Sequence, residues 1–188
     1  MIRVLALLAA VAFAIDAAAV DIQGVTLPAT ATLGGREVVL NGAGVRTKLV
    51  FKIYVGSLWL PQRASDLAGV VAQSPRRIRM DLLRHLSADQ LTDALLEGLR
   101  DNLSAAELAA VKDETDQLVV AMKGFGDVKQ GSVVTLDYVD GATHVTLDAR
   151  ERATIAGEAF NKALTRIWLG DHPVQASLQK DMLGGGGT

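Results

Sequence analysis

Cysteine is absent from the 188 residues. That excludes disulfides, thiolate metal sites, cysteine nucleophiles and a lipidated amino-terminal Cys. Histidine is scarce: His85, His144 and His172 are too scattered to form a metal-site signature. No charge of one sign dominates, because 19 basic residues face 21 acidic ones for a net charge of −2. The chain therefore carries no bulk field that attracts nucleic acid. No nucleophile elbow, P-loop or dinucleotide fingerprint occurs, and there is no internal repeat. What the chain does have is apolar material, 49% of its residues. That content excludes a disordered chain and suffices for one core in one domain.

The apolar residues are unevenly placed. Met1-Ile2-Arg3 is a short positive start, and Val4–Ile15 is an unbroken apolar run of 12 residues. Ala17-x-Ala19 then supplies the small-residue pattern that a signal peptidase needs. The run is too short to span a bilayer, which takes about 20 apolar residues. Residues 1–19 therefore read as a secretory signal peptide cleaved near Ala19-Val20. Cleavage removes Arg3 and Asp16, so the charge of the mature chain stays at −2. No other segment is long and apolar enough to span. The expectation is an exported, soluble domain over residues 20–188, periplasmic or secreted, ending in a flexible Gly-rich tail at Gly184–Gly187.

Along this domain, short extended pieces occupy residues 22–33 and Gly34-Gly35 forms a turn. A strand starting at Glu37 is interrupted by Asn41-Gly42-Ala43-Gly44. Leu49–Leu60 alternates most clearly and ends at Pro61. A short helix is expected around Ala64–Gln73. Arg76–Arg84 reads as a strand whose Arg76, Arg77 and Arg79 guard a solvated edge. Ser87-x-x-Gln90 and Ser104-x-x-Glu107 look like capping boxes. The first opens a helix with Leu91, Leu95 and Leu99 on one stripe, and the second a helix running to Gly124. Ser132–Val139 and Thr143–Asp148 form a hairpin through Asp140-Gly141. A last helix runs from Ile155 to Ile167, capped by Gly170. The pattern predicts an α+β domain, a mostly antiparallel sheet covered by helices on one side.

Chemistry concentrates near Arg46. Gly42 and Gly44 permit close backbone approach, and Lys52 shares parity with Tyr54 on the next strand. Arg46, Lys52 and Tyr54 converging on one face would make an anion-accepting pocket, since a guanidinium can grip a carboxylate through two parallel hydrogen bonds. The competing reading has Lys52 solvated and Arg46 paired with an Asp. On a straight strand Arg46 and Tyr54 would lie about 26 Å apart, so a turn near Thr47-Lys48 must intervene. Trp59 and Trp168 read as core or cleft wall, and the histidines as surface or helix-end residues.

Three segments carry a resemblance: Gly42-Ala-Gly-Val-Arg46, Lys52-Ile-Tyr-Val-Gly-Ser-Leu-Trp-Leu-Pro61, and Gly157-Glu-Ala-Phe-Asn-Lys-Ala-Leu-Thr-Arg-Ile-Trp-Leu-Gly170 followed by Pro173-Val174. Together they resemble the bacterial chalcone isomerase-like proteins over residues 22–183. The resemblance implies an open-faced β-sandwich with a ligand cleft between a large antiparallel sheet and a helix layer. No cofactor and no metal are expected. Plant members cyclise chalcones, whereas relatives of the same fold bind fatty acids. Arg46 matches the arginine that faces the cleft in both branches, and would be the catalytic cation of an isomerase. Tyr54 falls at or next to the tyrosine of the fatty-acid binders, where plant enzymes carry threonine. The catalytic tyrosine and asparagine of the plant helix fall near Leu91 and Gly98, and no Tyr or Asn lies between Ser87 and Arg100. The reading is an exported, non-catalytic binder of a fatty acid or similar apolar carboxylate, with Arg46, Tyr54 and Lys52 at the head group and Leu91 and Leu95 as walls. The alternatives are an isomerase or lyase acting on an enone, and an envelope interaction protein with a vestigial cleft.

Overall fold

A computed structural model describes residues 19–185. The expected signal peptide, up to residue 18, and the end of the Gly-rich tail, from residue 186, lie outside the described residues. Seven consecutive strands form one antiparallel sheet in sequence order: β3 (Thr30–Leu33), β4 (Arg36–Lys48), β5 (Phe51–Leu60), β6 (Arg76–Leu82), β7 (Val133–Val139), β8 (Ala142–Leu147) and β9 (Arg150–Ala156). A separate hairpin precedes it, β1 (Val20–Ile22) with β2 (Val25–Leu27). Helices α1 (Leu67–Val71), α2 (Ala88–Asn102), α3 (Ala105–Ala110), α4 (Lys112–Lys123), α5 (Glu158–Leu169) and α6 (Ala176–Lys180) complete the α+β architecture, followed by a last turn, Asp181–Gly185.

Alternation in β5 sorts the two faces of the sheet. Leu58 and Leu60 join the core beneath the helices, with Leu99, Leu118, Phe160, Leu164 and Ile167. Val55 and Trp59 point the other way, into a smaller core with Leu27, Val38 and Leu40 that the β1–β2 hairpin helps to cover. Both capping boxes form: the Ser87 hydroxyl accepts from the Gln90 amide and the Gln90 side chain from the Ser87 amide, and Ser104 and Glu107 repeat the pattern. The Asp140-Gly141 turn also forms, with both residues at positive φ, +49° and +82°.

Several sequence expectations need correction. Asn41–Gly44 does not interrupt β4; the strand runs through and absorbs a register shift between Leu40 and Gly42. The second capped helix breaks at Val111 into α3 and α4. Ile155 belongs to β9, a strand the apolar spacing of the last helix concealed. Gly184 and Gly185 are not a free tail, since the turn they close is held by Asn41, whose amide donates to the Met182 carbonyl at 2.7 Å.

The largest correction concerns Arg76. β6 is the central strand rather than an edge, and Arg76 is only 3% exposed. Its Nε donates to Asn161 Oδ1 at 2.8 Å and its Nη1 to the Gln73 carbonyl at 2.7 Å, while the guanidinium lies 4.1 Å from the centre of the Tyr138 ring. Asn161 in turn donates to Thr143 Oγ1 at 2.9 Å. Burial lowers the pKa of Arg76 from its ordinary value. Nη2 is buried with no partner among the described residues. Arg77 and Arg79 do behave as charged strand residues, but each is paired, with Asp137 and Asp81 respectively. Replacing Asn161 by Ala removes the one side-chain acceptor that this buried cation has among the described residues. A loss of about 3 kcal/mol is expected in urea unfolding, whereas a loss under about 1 kcal/mol would show that the backbone carbonyls suffice.

Candidate functional site

Between the sheet and the helix layer lies a cavity of about 90 Å³. The sheet contributes Tyr54, Met80, Leu136 and Val145, and the helices contribute Leu91, Leu95, Met122 and Trp168. Of all the residues lining it, only Tyr54 and Trp168 carry an N–H or O–H group in the side chain. The Trp168 indole N–H donates to the Tyr54 hydroxyl oxygen at 2.9 Å. That bond leaves the phenolic proton without an acceptor among the described residues, so it is available to a guest. Burial pushes the Tyr54 phenol up to about 12, against smaller lowering effects of the Trp168 hydrogen bond and the nearby charge of Arg46. Tyr54 is thus a neutral hydrogen-bond donor at any physiological pH, not a phenolate base.

The chain reversal that the sequence requires between Arg46 and Tyr54 is present. β4 and β5 fold into a long hairpin whose turn passes through Leu49 and Val50, with Leu49 at φ +56°. Arg46 and Tyr54 are direct cross-strand partners, so their side chains leave the same face with Cβ atoms about 5 Å apart. Arg46 is partly buried. Its Nη1 donates to the Thr47 carbonyl at 2.6 Å and to Gln175 Oε1 at 3.2 Å. Among the described residues it makes no ion pair with a carboxylate. The expected alternative of an Asp partner is therefore not what the geometry shows. Arg46 stands beside Tyr54 rather than among the residues that line the cavity.

Lys52 does not join the pair. The register passes from Arg46↔Tyr54 to Thr47↔Lys52, so β5 carries one extra residue, Ile53. This bulge reverses the parity on which the shared face was based. Lys52 is exposed and donates to Gln23 Oε1 at 2.7 Å, in the turn of the β1–β2 hairpin. Leu91 and Leu95 do line the cavity, whereas Leu99 is plain core. Position 98 has no room for a side chain, since a Cβ there would sit 2.7 Å from Ile167 Cγ2. The histidines lie elsewhere: His85 near Asp127, His144 beside Glu151 and Thr154, and His172 against Asn102.

Sequence reasoning missed Gln175. Its Oε1 accepts from the Thr47 amide at 2.8 Å as well as from Arg46, and its Nε2 donates to the Val45 carbonyl at 3.1 Å. It thereby fixes the end of β4 that carries Arg46. A glutamine in an irregular segment far along the chain gives no periodic signal; its adjacency to the quoted Pro173-Val174 was the only available pointer.

Compared with known proteins, residues 19–184 match the family described as chalcone isomerase-like. The chain belongs to the chalcone isomerase-like family. No individual curated protein sequence matches it. Among solved structures, a fatty-acid binding protein of Arabidopsis thaliana is similar, with a TM-score of 0.67 at 12% identity, covering 88% of this chain and 96% of that one. That likeness speaks to the fold, and the curled antiparallel sheet under helices is the chalcone isomerase-like fold. Two further facts bound the site: among the described residues no cluster of His, Asp and Glu could hold a metal ion, and no helix is long and apolar enough to cross a membrane.

The chain has two tyrosines. Subtracting the alkaline absorbance titration of Tyr54→Phe from that of the parent should isolate a phenol that ionises near pH 12. A raised pKa in the fold means the unfolded chain loses this proton first. The associated stability is therefore complete below about pH 10 and is lost as the pH climbs to about 12. A difference signal rising already near pH 10 would contradict the burial described.

Proposed function

We propose that this chalcone isomerase-like protein binds a fatty acid or a similar apolar carboxylate, tail in the cavity and head group at Arg46 and Tyr54. One observation carries the reading: a guanidinium with no acidic partner among the described residues stands directly across from a phenol whose proton meets no acceptor among them, at an otherwise apolar cavity. A carboxylate leaving water loses several kcal/mol of solvation unless a cation and hydrogen-bond donors replace it. Arg46 and Tyr54 are groups of those two kinds, and the guanidinium has further N–H donors to offer. The apolar walls suit a hydrocarbon; about 90 Å³ holds only the first few methylenes, so a long tail requires the walls to part, and Met80 and Met122 are lining side chains that adapt in shape. The family membership and a structural neighbour described as a fatty-acid binding protein support the same reading.

Isomerisation of an enone fits less well. Closing a ring by phenolate attack needs donors that stabilise the developing enolate. On α2 the corresponding positions are Leu91, a hydrocarbon wall, and Gly98, packed against Ile167. Arg46 alone would carry that load.

Lipid extraction of the purified protein followed by mass spectrometry is expected to release fatty acid. Arg46→Ala should weaken binding about 30-fold, the cost of stranding a carboxylate, and Tyr54→Phe about 5-fold, that of a neutral hydrogen bond. An empty protein whose affinity for added fatty acid is unchanged by Arg46→Ala would refute the assignment, and chalcone turnover abolished by that substitution would favour the isomerase. We also propose export to the periplasm or beyond, on the basis of the apolar run Val4–Ile15 and Ala17-x-Ala19. Amino-terminal sequencing of the protein from the cells that make it should begin at or near Val20, and a chain starting at Met1 in the cytosol would overturn this.

A further inference from the structure

The tip of the β4–β5 hairpin is apolar and open to solvent. Leu49 is 89% exposed, Val50 84% and Phe51 52%. Only two other large hydrophobic residues among those described, Val20 and Val120, are exposed, and neither has an exposed apolar neighbour in sequence of this size. Isolated exposed apolar residues are ordinary; three in a row at a protruding turn are not. The fold gives no reason for them. Leu49 sits at φ +56°, where glycine or asparagine would relieve strain and a leucine gains no contact in return.

The charged residues that adjoin the triplet are basic. Lys48 and Lys52 bracket the triplet, and the Arg84 guanidinium lies 4.5 Å from the centre of the Phe51 ring. Between Glu37 and Asp66 the chain has no acidic residue, although its net charge is −2. An apolar tip flanked by two lysines and an arginine matches an anionic lipid surface: the hydrocarbon side chains enter the acyl boundary while the cations remain among the head groups.

We infer that the Lys48–Lys52 tip is a membrane-docking element that inserts Leu49, Val50 and Phe51 into anionic bilayers. This contact goes beyond the pocket and does not require it to be filled. It would nonetheless place Arg46 and Tyr54, on the same two strands, at the lipid surface.

The absence of cysteine allows a site-specific test. Val50→Cys in the full chain is labelled with nitrobenzoxadiazole, and Glu37→Cys, exposed at the far end of β4, serves as control. With vesicles of phosphatidylglycerol and phosphatidylethanolamine, emission at position 50 is expected to rise about threefold and shift to the blue. With phosphatidylcholine alone, or at position 37, it should not. The double variant Leu49→Ser/Val50→Ser, which disturbs no buried contact, should lower vesicle partitioning about tenfold, and Lys48→Gln/Lys52→Gln should abolish the preference for anionic lipid. Because the label reads the tip itself, binding through residues 1–19 is not mistaken for it. An unchanged signal at position 50, an equal rise at both positions, or a rise that follows protein concentration without vesicles would overturn the inference, the last in favour of self-association. Fatty-acid binding by the serine variant in the absence of vesicles should match the parent, so failure here and failure of the pocket reading are read separately.

Discussion

A single hydrogen bond, from the Trp168 indole N–H to the Tyr54 hydroxyl, links α5 to β5 across a cavity whose walls are otherwise hydrocarbon. Water-poor surroundings make such a bond matter on both sides. The indole N–H would otherwise be a stranded donor, and the phenol would otherwise turn freely. By accepting from Trp168, the hydroxyl has its oxygen fixed and its proton directed elsewhere. Burial then keeps that proton in place. The arrangement produces a neutral donor, preset in direction, next to the positive charge of Arg46. Nothing in it resembles a base; a donor beside a cation is what the proposed carboxylate would require.

Two arginines of the sheet, alike in sequence, meet different surroundings. Arg76 and Arg46 both lack a carboxylate partner among the described residues. Arg76 is sealed in the middle of the sheet, where Asn161, the Gln73 and Val71 carbonyls and the face of Tyr138 disperse its charge. Arg46 uses one of its nitrogens on Thr47 and Gln175 and remains only partly buried. The first has no approach for a guest. The second stands beside the polar end of a cavity. Sequence alone assigned Arg76 to a solvated edge because its run, Arg-Arg-Ile-Arg, alternates like a half-exposed strand. Strand order decides between edge and centre, and a local pattern does not contain strand order.

What was legible in the chain was whatever depends on neighbours a few residues away. Capping boxes at Ser87 and Ser104, the Asp140-Gly141 turn and the alternation in β5 each follow from local backbone chemistry, and all are present. The α+β class followed from their order. Arg46 and Tyr54 could be paired only by supposing a reversal between them, which the Lys48–Phe51 turn supplies. Lys52 was misplaced because one bulged residue, Ile53, inverts every parity beyond it. Strand β9 was hidden because Arg-Glu-Arg-Ala-Thr is polar on both faces at a sheet edge and carries no period. Gln175 acts over a sequence separation of 128 residues from Thr47, which no local rule reaches.

The glycines before Arg46 join these threads. In sequence they read as places where backbone can come close, without saying what comes. The answer is the end of the chain: a Cβ at position 42 would lie 2.1 Å from the Asp181 carbonyl oxygen, and one at position 44 would lie 2.5 Å from Asp181 Oδ2. The carboxy-terminal segment therefore nests on β4 in the space that missing side chains leave, with Asn41 holding Met182 from one side. That same segment begins with Gln175, which grips the Val45 carbonyl and the Thr47 amide on either side of Arg46. The Gly-x-Gly-Val-Arg stretch is thus one device in two halves. Its glycines admit the terminal strap, and the strap orients the arginine. A side chain at either glycine would act on the site from a distance, by lifting the strap and releasing the guanidinium from its place opposite Tyr54.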